Sequence, residues 1–309
     1  MMTKRVVHKI VSNVDTIITL KNPCLNFAVW ELPEKPKTVA SGVVGAGKDG
    51  SKPESDIPRK PDEDGLRNDD HKRSELTNVE EEGIHFHVCS GNLMSASSRF
   101  NTMLKRNGWS ESTRNGDDNL FYLSAEDWDE QAFIILMNIF HLKNREIPRK
   151  LSLEMLAKVG VLVDYYDCAE STEHFTNIWI AKLRATVSIP TTYCRELVLW
   201  MWVAWIFKLS DEFERATHGA IIHCTDSVRD LGLPIPEWVT VEINERRNQS
   251  IGRIVSQMHG KLDEYRNPKY TCAQNSNRSF ECGCMFLGAL TKHMDSANVF
   301  SPRPKIPFT

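Results

Sequence analysis

The stretch IHFHVCSGNLMSASSRFNTML, residues 84–104, decides how the fold is read. Ile84, Phe86 and Val88 alternate with His85 and His87, the period-two pattern of a half-buried strand whose histidines are expected on the solvated face. Ser90 stands at the N-cap position of a helix that then carries Leu93, Met94, Phe100, Met103 and Leu104. A strand passing directly into a helix is the beginning of an α+β unit.

Upstream, Asp15 to Leu20 is rich in β-branched residues and ends at Asn22 and Pro23, and Leu25 to Trp30 follows as a second extended candidate. The two look like the arms of a small sheet. Residues 1–14 read as a tail, and Lys4, Arg5, His8 and Lys9 interrupt any apolar run of the kind a signal peptide needs. Between Glu34 and about Glu82 the chain changes character, with four prolines, five glycines and dense mixed charge, the composition of a disordered surface insertion.

Downstream, Gly108, Asn115 and Gly116 mark a loop before a short strand at Leu120–Leu123. Ser124 and Asp127 have the spacing of a capping box, ahead of a helical stripe formed by Trp128, Ala132, Phe133, Leu136, Ile139 and Phe140. Ser152 caps a further helix, another spans Cys168 to Leu183, and beyond Pro190 the pattern is helical throughout: Arg195–Lys208, Glu212–Val228, Pro236 to about Tyr265, and Glu281–Met294.

Composition narrows the function. Hydrophobic residues make up 41% of the 309 positions, enough for a sizeable core. A net charge of −3 and the lack of a basic stripe supply no field to hold a nucleic-acid backbone. The most apolar run, Leu197 to Phe207, is far shorter than the roughly 20 residues a membrane crossing needs. Eight scattered cysteines point to reduced thiols in the cytoplasm or nucleus rather than to a disulfide scaffold.

With these elements placed, the segments FHVCS (86–90), LMSASS (93–98) and FNTML (100–104) resemble the BTB/POZ pattern of strand, loop and helix. LSAEDW (123–128), IFH (139–141), IP (147–148), LEMLA (153–157) and VLVDYYDC (161–168) look like the fungal branch of that family. WMWVAWIF (200–207), LGLPIP (231–236) and LGALTK (287–292) are similar to the helical tails of such fungal proteins. The chain departs from the pattern where the family has a short turn between hairpin strands, since the 34–82 stretch stands there. The resemblance implies a compact sheet flanked by helices whose surface pairs with another protein, sometimes with a second copy of itself, and it implies no catalytic residues.

Several motifs invite sharper readings. GVVGAGKD, residues 42–49, nearly spells a phosphate-binding loop, but Asp49 stands where a hydroxyl must meet Mg²⁺ and Pro53 follows, so a flexible linker explains the glycines better. Cys272, Cys282, Cys284 and His293 are potential zinc ligands at a spacing that fits no standard zinc module. Asp164 and Asp167 beside Cys168 raise a thiol's pKa, the opposite of what a nucleophile needs. Trp109 and Glu111 satisfy the hydrophobic-x-Glu pattern by which some BTB domains engage a cullin, against the plainer reading of a loop anchored by a tryptophan.

The expected fold class is therefore α+β, a BTB/POZ-like small sheet flanked by helices over residues 15–143, interrupted at 34–82, then an all-α region over 144–300 and a tail at 301–309. The expected function is that of a non-catalytic adaptor that binds another protein and takes no cofactor, metal, nucleic acid, membrane or small-molecule substrate. Leu93, Met94, Phe100, Met103, Trp109 and Glu111 are the candidate partner-binding residues, with the strand from Asp15 to Leu20 as a free pairing edge. One alternative keeps the fold and makes the chain a substrate receptor of a cullin-based ubiquitin ligase. The other, a nucleotide-dependent or hydrolytic enzyme, has only the imperfect glycine loop behind it.

Overall fold

In the computed structural model, which describes residues 6–30, 83–105 and 112–308, a four-stranded sheet is flanked by helices and followed by a helical C-terminal region. The class is α+β, as expected from the sequence. The strands are β1 (Val6–Lys9), β2 (Thr16–Lys21), β3 (Ile84–Val88) and β4 (Phe121–Glu126), in the order β1-β3-β2-β4. β2 runs antiparallel to β3 and parallel to β4, and β1 lies parallel to β3. The insertion expected at 34–82, with its glycine loop, lies outside the described residues.

Register explains which side chains share the core face. Ile18 is opposite both Phe86 and Leu123, and Leu20 is opposite Ala125, so these side chains share one face and pack into the core. Two short helices, α1 (Ser90–Ala96) and α2 (Ser98–Lys105), connect β3 to β4, and α3 (Glu130–Phe140) follows β4. Phe133 of α3 meets Phe86 edge-on at 4.8 Å, which joins helix to sheet.

The C-terminal region comprises α4 (Leu153–Tyr166), α5 (Ala169–Thr186), α6 (Arg195–Ile206), α7 (Ser210–His223), α8 (Glu237–Arg266) and α9 (Ser279–Ser296). Ser152 caps α4 by accepting the Met155 N–H at 3.1 Å, as its sequence position predicts. α6 is apolar all round because it is enclosed, with Leu197 to Ala204 all buried. It approaches α4 at Gly160, where an added Cβ would sit 3.2 Å from both Ile206 Cγ2 and Trp202 Nε1. A single core runs from Ile10 to Ile243 and crosses the boundary expected at residues 143–144. Among the described residues no helix is long and apolar enough to cross a membrane.

Several local expectations are corrected. The stretch read as a tail supplies β1, an edge strand. Asp15–Leu20 is no free edge, because β2 is paired on both sides. Leu25–Trp30 forms no strand: Arg195 of α6 takes the carbonyls of Phe27 and Ala28, each at 2.8 Å, and Ala28 adopts a left-handed φ of 47°. With its carbonyls bound to a guanidinium, the segment has no ladder to join.

Ser90 does not cap its helix. Its hydroxyl and N–H both donate to the Asp15 carboxylate, at 2.5 and 2.6 Å, tying β2 to the start of α1. Burial opposes ionisation of Asp15, but these bonds outweigh it and hold its pKa below the usual carboxylate range. The helix expected through Leu104 is broken at Ser97, whose backbone is extended, whose hydroxyl donates to Tyr166 O, and whose oxygen accepts the Phe100 N–H. Ser124 lies inside β4, and Asp129 caps α3 in its place by accepting the Ala132 N–H at 2.9 Å.

Candidate interaction site

The sequence-derived partner residues divide when placed in the fold. Leu93 and Phe100 point into the core, Phe100 stacking on Tyr166 with ring centroids 4.6 Å apart, so neither is available to a partner without opening the molecule. Met94 and Met103 pack against the same core but remain half-exposed. Trp109 and Glu111 lie outside the described residues. The outward side of α1 and α2 is polar around them, with Arg99 over the Tyr165 ring at 3.9 Å and donating to its hydroxyl at 3.0 Å.

A surface the sequence did not signal lies at the sheet edge. Among the described residues β1 is paired only with β3, and Val6 and Val7 are 43% and 38% exposed. Its inner side is anchored: His8 Nε2 is 2.7 Å from Glu130 Oε1, and its ring lies 5.0 Å from that of Phe86. An anchored edge strand with exposed valines, unpaired on its outer side by any described residue, presents main-chain donors and acceptors to an incoming strand.

His85, expected on a solvated face, is only 4% exposed and its Nδ1 lies 3.3 Å from Thr19 Oγ1 across the β2–β3 pair. The alternation placed it correctly on the face opposite Phe86; that face is simply not solvated at this central position. His141 is likewise internal, accepting the Cys89 N–H on Nε2 at 3.0 Å and meeting Met137 O through Nδ1 at 2.8 Å. This geometry requires the Nδ1–H tautomer, and burial holds the imidazole pKa below its ordinary value.

Two of the concavities among the described residues bear on the site. A cleft of about 290 Å³ lies among Phe27, Trp128, Lys158, Leu162 and Leu231. Lys158 donates to Asp129 Oδ2 at 2.9 Å and stands 3.1 Å from Glu154 Oε1, while Arg195 is 2.9 Å from Glu154 Oε2. Burial works against the Lys158 charge, but both carboxylates outweigh it and raise its pKa, so the amine is held protonated and serves as a clamp on α3 rather than as a base. A groove of about 680 Å³ lies between α8 and α9, lined by Met258, Lys261, Tyr265, Phe286, Leu290 and His293.

The thiols follow their surroundings. Cys168 is buried at the start of α5, where desolvation and then Asp167 push its pKa up to about 12, keeping it an inert thiol. Among the described residues no group of three or more His, Cys, Asp or Glu side chains is placed to hold a metal ion. Cys272 is buried and Cys282 half-buried, whereas Cys284 is exposed on α9 and His293 lines the α8–α9 groove.

No protein-family model matches this chain, and no curated protein matches it.

Proposed function

We propose that the chain is a non-catalytic protein-interaction adaptor of BTB/POZ type, which receives a polypeptide along the open edge of β1. The observation that carries the reading is that, among the described residues, the outer side of β1 is unpaired, with Val6 and Val7 exposed on a strand whose other side is fixed to β3. The family assignment is supported by the succession of β2, β3, a pair of short helices, a strand parallel to β2, and then helices. Half-exposed Met94 and Met103 add adaptable apolar surface on the same module. Eight free cysteines support a reducing compartment, cytoplasm or nucleus.

Affinity capture of the full chain from a cell extract, quantified by mass spectrometry against a Val6→Lys/Val7→Lys variant, tests this. Lysines on the edge oppose strand addition without touching the core. Wild type is expected to retain specific polypeptides, or copies of itself, that the variant loses. Equal retention by both proteins, or no retention above control, contradicts the proposal.

A further inference from the structure

The loop that joins α3 to α4 is fastened to α5 by two side chains of that helix. Trp179 Nε1 donates to Pro148 O at 2.6 Å, and Lys182 Nζ donates to Arg149 O at 2.8 Å. Between loop and helix lies a cleft of about 250 Å³. Its lining is largely apolar, with Ile147 and Trp179 buried and Phe175 and Ile178 of α5 partly open to solvent. The bonds to two consecutive carbonyls hold loop against helix, so the cleft is shaped before anything enters it.

The polar part of that lining is one-sided in charge. Arg149, Lys182, His174 and Asn144 are exposed there, and among the described residues no carboxylate lines the cleft. The loop itself carries four exposed cations, Lys143, Arg145, Arg149 and Lys150, against a single acid, Glu146. Glu173 precedes His174 on α5 but is outside the lining. On a chain whose net charge is −3, this concentration of positive charge around an apolar cleft is a local feature and not a reflection of composition.

We propose that this cleft is a second docking site, separate from β1, for an acidic linear peptide that inserts one large apolar side chain. The volume lies below the roughly 300–1,000 Å³ of pockets that enclose a whole small-molecule ligand, and it suits a peptide anchor. The anchor covers Trp179, Ile147, Phe175 and Ile178, while carboxylates on either side of it meet Arg149 and Lys182. Exposed ion pairs are individually weak, so the cations steer and select the peptide and the buried anchor sets how long it stays. A phosphate backbone would engage the cations alone and leave the apolar lining uncovered.

The test is selection of a phage-displayed library of random linear peptides on the immobilised full chain, followed by fluorescence polarisation with the enriched peptides. Enriched sequences are expected to carry one large apolar residue flanked by Asp or Glu, and their binding should weaken as salt rises. Arg149→Glu/Lys182→Glu should weaken it about tenfold or more. Both side chains are exposed, and an unchanged circular dichroism melt shows that the fold is kept. Ile178→Ser, which leaves both cations in place, should also weaken binding, whereas Val6→Lys/Val7→Lys should bind as wild type does. No enrichment, enriched sequences without acids or without an apolar anchor, or equal binding by the charge-reversed variant overturns the proposal. Loss of binding in Val6→Lys/Val7→Lys alone overturns it too and places the peptides on β1. Tighter binding to phosphatidylserine vesicles or to single-stranded RNA than to the selected peptides assigns the cations to another class of partner and equally overturns it.

Discussion

The sheet-bearing part of the molecule and the α8–α9 hairpin handle apolar residues in opposite ways. Around the sheet, Phe86, Leu93, Phe133 and Leu136 are fully enclosed, and α4 and α6 continue the same core. In α9 only Gly283 and Met294 are buried, while Phe280 is 82% exposed and Met285 63%. α8 spans 30 residues, about 45 Å, yet beyond Arg247 it buries only Val255 and Leu262. The first part is built to hold one shape; the second has far less holding it and keeps apolar surface in reserve.

The largest expected effect separates the two. Phe133→Ala removes a fully buried ring and should lower the stability of the whole unit by about 3–5 kcal/mol, read from urea unfolding. Met294→Ala, although equally buried, should speed amide hydrogen exchange in α9 and the second half of α8 and leave the amides of β2 and β3 unchanged. Parallel loss of protection in both regions would erase the distinction.

Acid should act on the sheet-bearing part first. The folded-state pKa of His141 lies below 6.5, so between the two values the unfolded chain binds more protons, and the stability present above pH 6.5 declines as pH falls through that window. Asp15, held below 3.8, contributes above that value and loses its contribution as the pH falls further. Thermal unfolding followed from pH 7.5 to pH 4.5 should show a decline that flattens in His141→Asn; an unchanged slope in that variant removes His141 as the cause.

Smaller effects sharpen the picture inside the core. Trp202 Nε1 donates to Ala157 O at 3.0 Å, whereas the buried Trp200 Nε1 has no hydrogen-bond partner among the described residues. Trp202→Phe should therefore cost about 1 kcal/mol more than Trp200→Phe in matched unfolding experiments, the worth of one buried hydrogen bond. Phe280→Ser should change stability by less than about 0.5 kcal/mol, because its ring is already in water.

Period and capping chemistry made much of the fold legible. The core-facing side of β3, with Phe86 and Val88, and the stripe through Phe133 and Leu136 are written directly into residue spacing. What escaped depends on distant partners. β1 has only four residues and becomes a strand because β3 lies beside it. Ser90 has the chemistry of a cap, but the Asp15 carboxylate, 75 positions away, takes its hydroxyl. Ser124 has cap spacing too, yet it is an outward residue of β4.

The candidate site was less legible for a related reason. Leu93 and Phe100 carry the same apolar spacing whether a helix faces its own core or a partner, and only the position of Tyr166 shows that the core claims them. Val6 and Val7 acquire meaning from strand order, which no local pattern encodes.

The most direct test of edge docking is hydrogen–deuterium exchange on the full chain, with and without a partner recovered by affinity capture. New protection concentrated at Val6–Lys9, absent from the Val6→Lys/Val7→Lys variant, is the predicted result. Protection confined to the α8–α9 groove, with the β1 amides unchanged, contradicts it.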